Sequence, residues 1–237
     1  MHVRQIEPIF ENRYDAGRQL ADKLMQYAGQ AAVVLAIPNG GAAVGLGVAL
    51  ALEADFDLII SRKIPLPLSP EGGFGAVTSD GTTMLNEEIV KQAGLTPQQI
   101  NYQVNKVRAE IRQRSLLYHK DRPPRVVSDK TVIIVDDGMA TGYTMMAAVE
   151  SVRHRRPRGV IVAVPTAPAR AAQELEKFAD KIITCAIGNA PEFYVSDYYR
   201  YWHEVSDDEV IQCLKEWQIR RRPTIEIPRS DESQDII

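Results

Sequence analysis

The chain contains little cysteine, no long apolar segment and little net charge, and each of these absences excludes a class of protein. Its two cysteines in 237 residues are too few for a disulfide-rich secreted domain, and they lack the spacing of a zinc site. Cys185 lies in an apolar segment and Cys213 in an amphipathic one, which predicts buried free thiols. No continuous apolar run approaches the roughly 20 residues of a membrane span, and no apolar run follows the first five residues. We therefore expect a cytoplasmic protein without a membrane segment.

The net charge of −3 argues against general electrostatic attraction to nucleic acid. Two local basic runs, at 153–158 and 220–222, are the exceptions. The first follows a predicted helix, where cations favour the C-terminus, and the second precedes a polar, acidic stretch. We interpret both runs as solvated surface. The polar composition of residues 223–237 predicts a disordered tail.

The composition, 45% hydrophobic and 25% charged, is ordinary for a globular protein, and the length suits one hydrophobic core. Predicted helices and strands alternate, which is typical of an α/β fold with a Rossmann-like parallel sheet flanked by helices. Helices are predicted at 14–27, 42–52, 97–119, 143–153, 169–178 and 207–217, and strands at 33–37, 58–61, 131–136, 160–164 and 182–187. No internal repeat is evident, so residues 1–237 form one predicted domain.

Residues 62–85 interrupt this alternation with three prolines and four glycines. Such a composition predicts an irregular excursion, with short antiparallel strands at 76–78 and 82–85. Long loops in compact domains are usually functional, so we expect this excursion to belong to the site.

The most informative segment is the strand, turn and helix at 132–144. Four apolar residues predict a strand buried on both faces. Asp136 and Asp137 follow at its carboxyl end, where open α/β sheets bind ligands. Small and hydroxyl residues at 140–144 then form a turn at the positive end of a helix beginning near Tyr143. Carboxylates accept hydrogen bonds from vicinal sugar hydroxyls and N–H groups donate to a phosphate, so the unit matches ribose 5-phosphate. Taken separately, a strand-end Asp and a Thr-Gly helix cap are each common in unrelated proteins.

A second turn follows the predicted strand at 33–37. It consists of Pro38, Asn39, Gly40 and Gly41. Consecutive glycines let backbone N–H groups approach a ligand without a Cβ in the way. The alternative is an ordinary turn between a strand and a helix. A third segment, Ser61, Arg62 and Lys63, ends the next predicted strand, and its alternative is a solvated strand end.

The segment at 132–144 resembles, at every position, the 5-phosphoribosyl-1-pyrophosphate (PRPP) motif of type I phosphoribosyltransferases. That motif is an apolar strand, two acidic residues, two variable residues and Ala-Thr-Gly-x-Thr. The resemblance extends over most of residues 10–205. It is greatest to the poorly characterised "predicted phosphoribosyltransferase" group, which is similar around 38–41, 62–63 and 71–77. It implies the type I phosphoribosyltransferase fold, with a flexible loop at 66–75 and a C-terminal hood at 188–205.

The resemblance assigns roles to the motif residues. Asp136 and Asp137 would hold the ribose hydroxyls directly or through Mg²⁺. The 5-phosphate would bind to Ala140, Thr141, Gly142, Tyr143 and Thr144. The pyrophosphate would bind to Pro38, Asn39, Gly40 and Gly41, with Arg62 and Lys63 against it. Asn39 departs from the nearest group, which has a basic residue there, and this removes one positive charge from the loop.

The resemblance implies a Mg²⁺-dependent enzyme that transfers the phosphoribosyl group of PRPP to a nitrogenous acceptor, a nucleobase, with release of pyrophosphate. Enzymes for 6-oxopurines carry an Asp at the position of Ala140, so this chain matches them less well. Phe193 and Tyr194 are the candidate base-stacking residues of the hood, and the alternative is that these aromatics fill the core or an interface of a homodimer. Two other functions remain, a non-catalytic PRPP-sensing regulator and a phosphatase or nucleotide hydrolase. A regulator would carry an added DNA-binding domain or a basic face, whereas this chain has a pI of about 5.9.

Overall fold

The computed structural model describes residues 7–67, 69–120, 123–190 and 192–221. Helices occupy Arg13–Asp22 (α1), Gly41–Ala51 (α2), Glu87–Gln92 (α3), Pro97–Tyr118 (α4), Tyr143–Arg153 (α5), Ala169–Leu175 (α6) and Asp207–Arg220 (α7). Strands occupy Ala32–Ala36 (β1), Asp55–Leu58 (β2), Ser61–Leu66 (β3), Ser69–Thr78 (β4), Thr83–Leu85 (β5), Thr131–Val135 (β6), Gly159–Pro168 (β7) and Lys181–Gly188 (β8). The predicted tail at 223–237 lies outside the described residues.

The core of the fold is a five-stranded parallel sheet in the order β2-β1-β6-β7-β8. Every residue of β1 is buried, because helices cover both faces of the sheet. On one face, Val34 and Ile133 pack in a cluster with α1, α2 and α7. On the other face, Val33 and Ile134 pack with α5 and α6. The structure confirms the predicted Rossmann-like sheet flanked by helices.

A second, antiparallel sheet of three strands, in the order β3-β4-β5, stands beside the first. The predicted strand at 58–61 is therefore wrong. The structure ends β2 at Leu58 and begins β3 at Ser61 in a different sheet. Leu58, Ile59 and Ile60 are all buried at the junction, so the apolar run continues while the chain changes direction. Residues 61–85 are also more regular than the predicted excursion.

Helix α5 connects the two sheets, because it packs against β6 and β7 on one side and against β3, β4 and β5 on the other. A hydrogen bond from Ser61 Oγ to the Thr144 carbonyl oxygen, 2.8 Å long, fixes the start of β3 to the first turn of α5. Sequence analysis missed α3, although Asn86 caps it and two glutamates occupy its first turn. The packing of α5 and the hydrogen bond from Ser61 to Thr144 hold the small sheet near the carboxyl end of β6.

The two cysteines are free, as predicted. Cys185 is partly buried in β8 and Cys213 is buried in α7, and burial raises the pKa of each thiol to about 11. Among the described residues, no helix is both long and apolar enough to span a membrane. Arg153, in the first basic run, donates two hydrogen bonds to the Phe178 carbonyl oxygen and forms a surface ion pair with Asp180.

Asp80, in the turn between β4 and β5, gives the small sheet a pH dependence. Partial burial alone would raise its pKa, but hydrogen bonds from Thr78, Thr82 and Ser151 lower the pKa to about 2. The folded pKa is below the unfolded value of about 3.9. The stabilisation is therefore complete above pH 4 and is lost as the pH falls through about 2. We expect the difference in unfolding free energy between wild type and Asp80→Asn to shrink from pH 5 to pH 2. Urea unfolding across that range measures it, and a constant difference would contradict the assignment.

Candidate active site

The turns after β1 and β6 meet at one edge of the main sheet, because these two strands are parallel neighbours. The contact is so close that only glycine fits at two positions of the first turn. A Cβ at Gly40 would lie 1.9 Å from Asp137 Oδ2, and one at Gly41 would lie 2.9 Å from Asp136 Cα. The two segments that the sequence singled out are therefore in direct contact.

Asp136 faces a cavity of about 510 Å³. Its Oδ1 accepts a 2.8 Å hydrogen bond from the backbone N–H of Asp137. Burial raises the pKa of Asp136 well above its usual value, and the adjacent Asp137 carboxylate raises it further. The surroundings of Asp136 thus disfavour its ionised form, which a cationic or hydrogen-bonding ligand would stabilise.

The turn at 140–144 forms one wall of this cavity, and all five of its predicted phosphate-binding residues line it. Gly142 has φ +83°, a conformation that glycine adopts without strain, and it precedes α5. Within the described part of the chain, no side chain caps the first turn of α5 and no acidic residue occupies it. The backbone N–H groups there are open to an anion in the cavity.

The β3–β4 hairpin also lines the cavity, through Lys63, Leu66, Glu71, Gly72, Gly73 and Gly75. Lys63 Nζ donates a 2.6 Å hydrogen bond to the Glu71 carbonyl oxygen, so the ammonium group is held within the hairpin. Within the segment 66–75, which was expected to be a flexible loop, Leu66 belongs to β3 and residues 69–75 belong to β4, and the two strands are paired. The cavity brings a lysine, a carboxylate and a helix N-terminus together.

Arg62 lies apart from Lys63, since neighbouring residues of a strand point to opposite faces. It lines a separate cleft of about 380 Å³ with Arg114 and Asp207. Its Nη1 is 3.9 Å from Glu110 Oε2, and burial and the charge of Arg114 lower its pKa. The structure brings Lys63 to the cavity and leaves Arg62 beyond its wall.

The predicted pyrophosphate turn, 38–41, lies behind the carboxylates and does not line the cavity. Its Asn39 side chain bridges two helices. Asn39 Nδ2 donates to the Val205 carbonyl oxygen (2.8 Å) and to Asp207 Oδ1 (3.0 Å), and Arg114 Nη1 donates to Asn39 Oδ1 (2.6 Å). Arg114 thus places a cation beside Asn39, where the resemblance led us to expect a basic side chain.

The two candidate hood residues lie outside the cavity lining. The Phe193 ring is 5.3 Å from that of Tyr198, and Tyr194 is 59% exposed. Tyr198 and Tyr199 are each only 4% exposed. Tyr198 and Tyr199, in the same segment as the two candidate hood residues, thus belong to the hydrophobic core.

Arg13 is a site residue that sequence analysis missed. Its Nε donates a 2.8 Å hydrogen bond to Asp137 Oδ2 in an ion pair that is nearly closed to solvent, with the two side chains 7% and 15% exposed. Burial raises the pKa of Asp137, and the Arg13 charge opposes that increase. One signal was available. Arg13 follows the N-cap Asn12, and the helix dipole disfavours a cation in the first helical turn, which suggests that another group pairs with it.

Comparison with known proteins agrees with this architecture. The family model "Phosphoribosyl transferase domain" matches residues 5–198. Two Mycobacterium tuberculosis proteins, from strains CDC 1551 and H37Rv and named provisionally as phosphoribosyl transferases, are each 36% identical over 206 residues. The match covers 87% of this chain and 46% of each relative, so the chain spans about half the length of these curated relatives.

Among solved structures, the Thermus thermophilus protein TT1426 is 33% identical and superimposes with a TM-score of 0.73. That match covers 88% of this chain and 98% of the Thermus protein, and the two share one fold over the matched range. The chain therefore belongs to the phosphoribosyl transferase domain family.

Proposed function

We propose that this domain transfers the 5-phosphoribosyl group of PRPP to a nitrogenous acceptor, a nucleobase, and releases pyrophosphate in a Mg²⁺-dependent reaction. The observation that carries the proposal is the cavity in which Asp136, Lys63 and the turn 140–144 face one another. In this proposal the turn 140–144 and Lys63 bind the two anionic groups of PRPP, and Asp136 supplies the carboxylate of the same cavity.

The turn 140–144 suits the 5-phosphate. Its N–H groups and the hydroxyls of Thr141 and Thr144 are donors, and the positive end of α5 favours a dianion. The hydrogen bond from Ser61 Oγ to the Thr144 carbonyl oxygen holds the end of the turn in place. The phosphate would therefore be anchored by a preformed set of donors.

The carboxylates suit Mg²⁺. The described residues contain no cluster of three or more His, Cys, Asp or Glu side chains that would form a protein-only metal site. Mg²⁺ is commonly held by one or two carboxylates together with substrate phosphates, which fits Asp136 at the cavity with Asp137 beside it. When bound, the cation would neutralise charge on the pyrophosphate.

In the proposed reaction the acceptor nitrogen bonds to C1 of the ribose, the bond from C1 to the pyrophosphate oxygen breaks, and its electron pair leaves with pyrophosphate. The acceptor nitrogen then releases its proton to solvent. Asp136 places negative charge beside the ring as positive charge develops there. Lys63 offsets charge on the departing pyrophosphate, and the β3–β4 hairpin keeps water from competing with the acceptor.

A screen for pyrophosphate release tests the proposal. Purified protein would be incubated with PRPP, Mg²⁺ and each member of a panel of nucleobases. Release that depends on one base supports transfer and identifies the acceptor. Binding of PRPP without release would indicate the sensor, and release without any base would indicate a hydrolase.

Substitutions in the proposed 5-phosphate site and in the proposed pyrophosphate site are expected to have different effects on ligand binding. Thr141→Val should weaken both ribose 5-phosphate and PRPP by roughly 1 to 2 kcal/mol, because each uses the 5-phosphate site. Lys63→Ala should weaken PRPP and pyrophosphate but leave ribose 5-phosphate nearly unchanged. Competition binding with the three ligands measures both effects.

Arg62→Ala is the matched comparison, since it removes one cation from the adjacent position of β3. It should weaken pyrophosphate less than Lys63→Ala does, because Arg62 lies outside the cavity. If Lys63→Ala weakens the binding of ribose 5-phosphate as much as that of pyrophosphate, Lys63 does not belong to a separate pyrophosphate site.

A further inference from the structure

The two adjacent carboxylates of the motif have different environments. Asp136 lines the cavity, whereas Asp137 does not. The Asp137 side chain is wedged instead between Gly40, where a Cβ would overlap its Oδ2, and the Arg13 guanidinium. Only one of the two charges therefore faces the ligand space.

Arg13 is held in place by several contacts besides its pair with Asp137. Its Nη1 donates a 2.9 Å hydrogen bond to the His203 carbonyl oxygen, and its Cζ lies 3.8 Å from the centre of the Trp202 ring. The Tyr199 hydroxyl donates to the Asp137 carbonyl oxygen, so the same segment holds the backbone as well. Arg13, Tyr199, Trp202 and His203 together form what we call the Asp137 clamp.

Backbone pairing anchors the clamp. Phe10 N–H donates to the Tyr198 carbonyl oxygen (2.9 Å), and Arg200 N–H donates to the Phe10 carbonyl oxygen (2.8 Å). The segment before α1 thus adds to residues 198–201 in a short parallel pairing. Arg13 follows immediately, so its position is set by ordered backbone on both sides.

We propose that Arg13 is a positioning residue that masks Asp137 in the free protein, so that the motif presents a single carboxylate, Asp136, to a divalent cation. This inference rests on the proposed function, because masking Asp137 is useful only if the divalent cation binds together with PRPP. Two neighbouring unmasked carboxylates in a buried site attract a divalent cation strongly, because opposite charges interact more at low effective dielectric. With Asp137 paired, the domain holds the cation weakly alone and tightly only together with the phosphates of PRPP.

Mn²⁺ binding to the full chain without PRPP tests the masking, with Mn²⁺ as the probe and electron paramagnetic resonance as the readout of free ion. Wild type is expected to bind weakly. Arg13→Gln should bind Mn²⁺ at least about tenfold tighter, because Asp137 becomes free to act as a ligand. A residue that merely supported the fold would lower affinity when replaced, so the direction of the change is diagnostic.

Three variants serve as controls. Arg13→Lys keeps the charge and should retain weak binding. Arg13→Gln/Asp137→Asn removes the charge and the exposed carboxylate together and should also bind weakly. Trp202→Leu loosens the clamp at a residue that is 40% exposed, so it should fold even if Arg13→Gln does not. It should tighten Mn²⁺ binding about two- to threefold.

Unchanged or weaker Mn²⁺ binding in both Arg13→Gln and Trp202→Leu would overturn the proposal. So would tight binding in the double variant, because the new ligand could not then be Asp137. These measurements use no PRPP. If wild type fails to bind PRPP or release pyrophosphate, the proposed function fails, while the Mn²⁺ series still decides whether Arg13 masks Asp137.

Discussion

Asp136→Asn is expected to weaken PRPP binding in the presence of Mg²⁺ by about 3 kcal/mol, or more than 100-fold. The amide keeps the shape of the side chain but loses the charge that faces the cavity. Hydrogen bonds and cation contacts to a charged acceptor are roughly twice as strong as those to a neutral one, so the loss exceeds that of an ordinary hydrogen bond. Pyrophosphate release should fall at least as much, because the same charge stabilises the developing positive charge.

Titration calorimetry with PRPP and Mg²⁺ measures this effect, and Asp208→Asn is the matched control. It makes the same change of charge at an exposed carboxylate in the first turn of α7. Stability should not fall in Asp136→Asn, because burial and Asp137 raise the pKa of Asp136 and its ionised form therefore opposes folding. Wild-type PRPP affinity in a folded Asp136→Asn protein would refute the central role of this carboxylate.

Arg13→Gln is expected to lower the free energy of unfolding by about 3 kcal/mol or more, because it leaves the buried Asp137 charge without its partner. Helix α1 provides a matched comparison. Arg18 also forms a 2.8 Å ion pair, with Asp15, but its side chain is 70% exposed. Arg18→Gln should therefore cost less than about 1 kcal/mol. Urea unfolding of the two variants compares a buried and an exposed pair within one helix.

The double variant Arg13→Gln/Asp137→Asn should recover much of the lost stability, since replacing both members of a buried ion pair is far less costly than removing one. The coupling between the two substitutions gives the interaction directly. If Arg13→Gln proves no more destabilising than Arg18→Gln, the Arg13–Asp137 pair is not an important stabilising contact.

Local patterns in the sequence were sufficient to predict most of the main sheet and its helices. The predicted helix 143–153 coincides with α5 in the structure, because a small-residue turn marks its start and a buried face runs through it. The junction at 58–61 could not be found in this way. Ile59 and Ile60 are as buried between the two sheets as they would be inside one strand, and hydrophobicity does not report a change of direction.

In the candidate site, too, local patterns found some residues and missed those that depend on distant contacts. Asp136, Lys63 and the turn 140–144 lie at the ends of predicted elements, and the structure brings them to one cavity. The partners of Asp137 and Asn39 were beyond sequence analysis. Arg13 is 124 positions from Asp137, and Asp207 is 168 positions from Asn39. No periodicity or turn pattern connects residues so far apart, and only the packed fold shows which side of β3 each basic residue takes.

The contact between Arg13 and the His203 carbonyl oxygen joins residues that are 190 positions apart, so the ribosome makes the two partners at different times. Ribosomes add about 5 to 20 residues per second, so Arg13 is made roughly 10 to 40 s before the segment that holds it. A nascent chain that has just passed residue 144 carries the complete phosphate turn and both carboxylates, but not Tyr199, Trp202 or His203. Translation must pass His203 before the acidic pair can take its final arrangement, and chains that stop earlier keep the motif without its clamp.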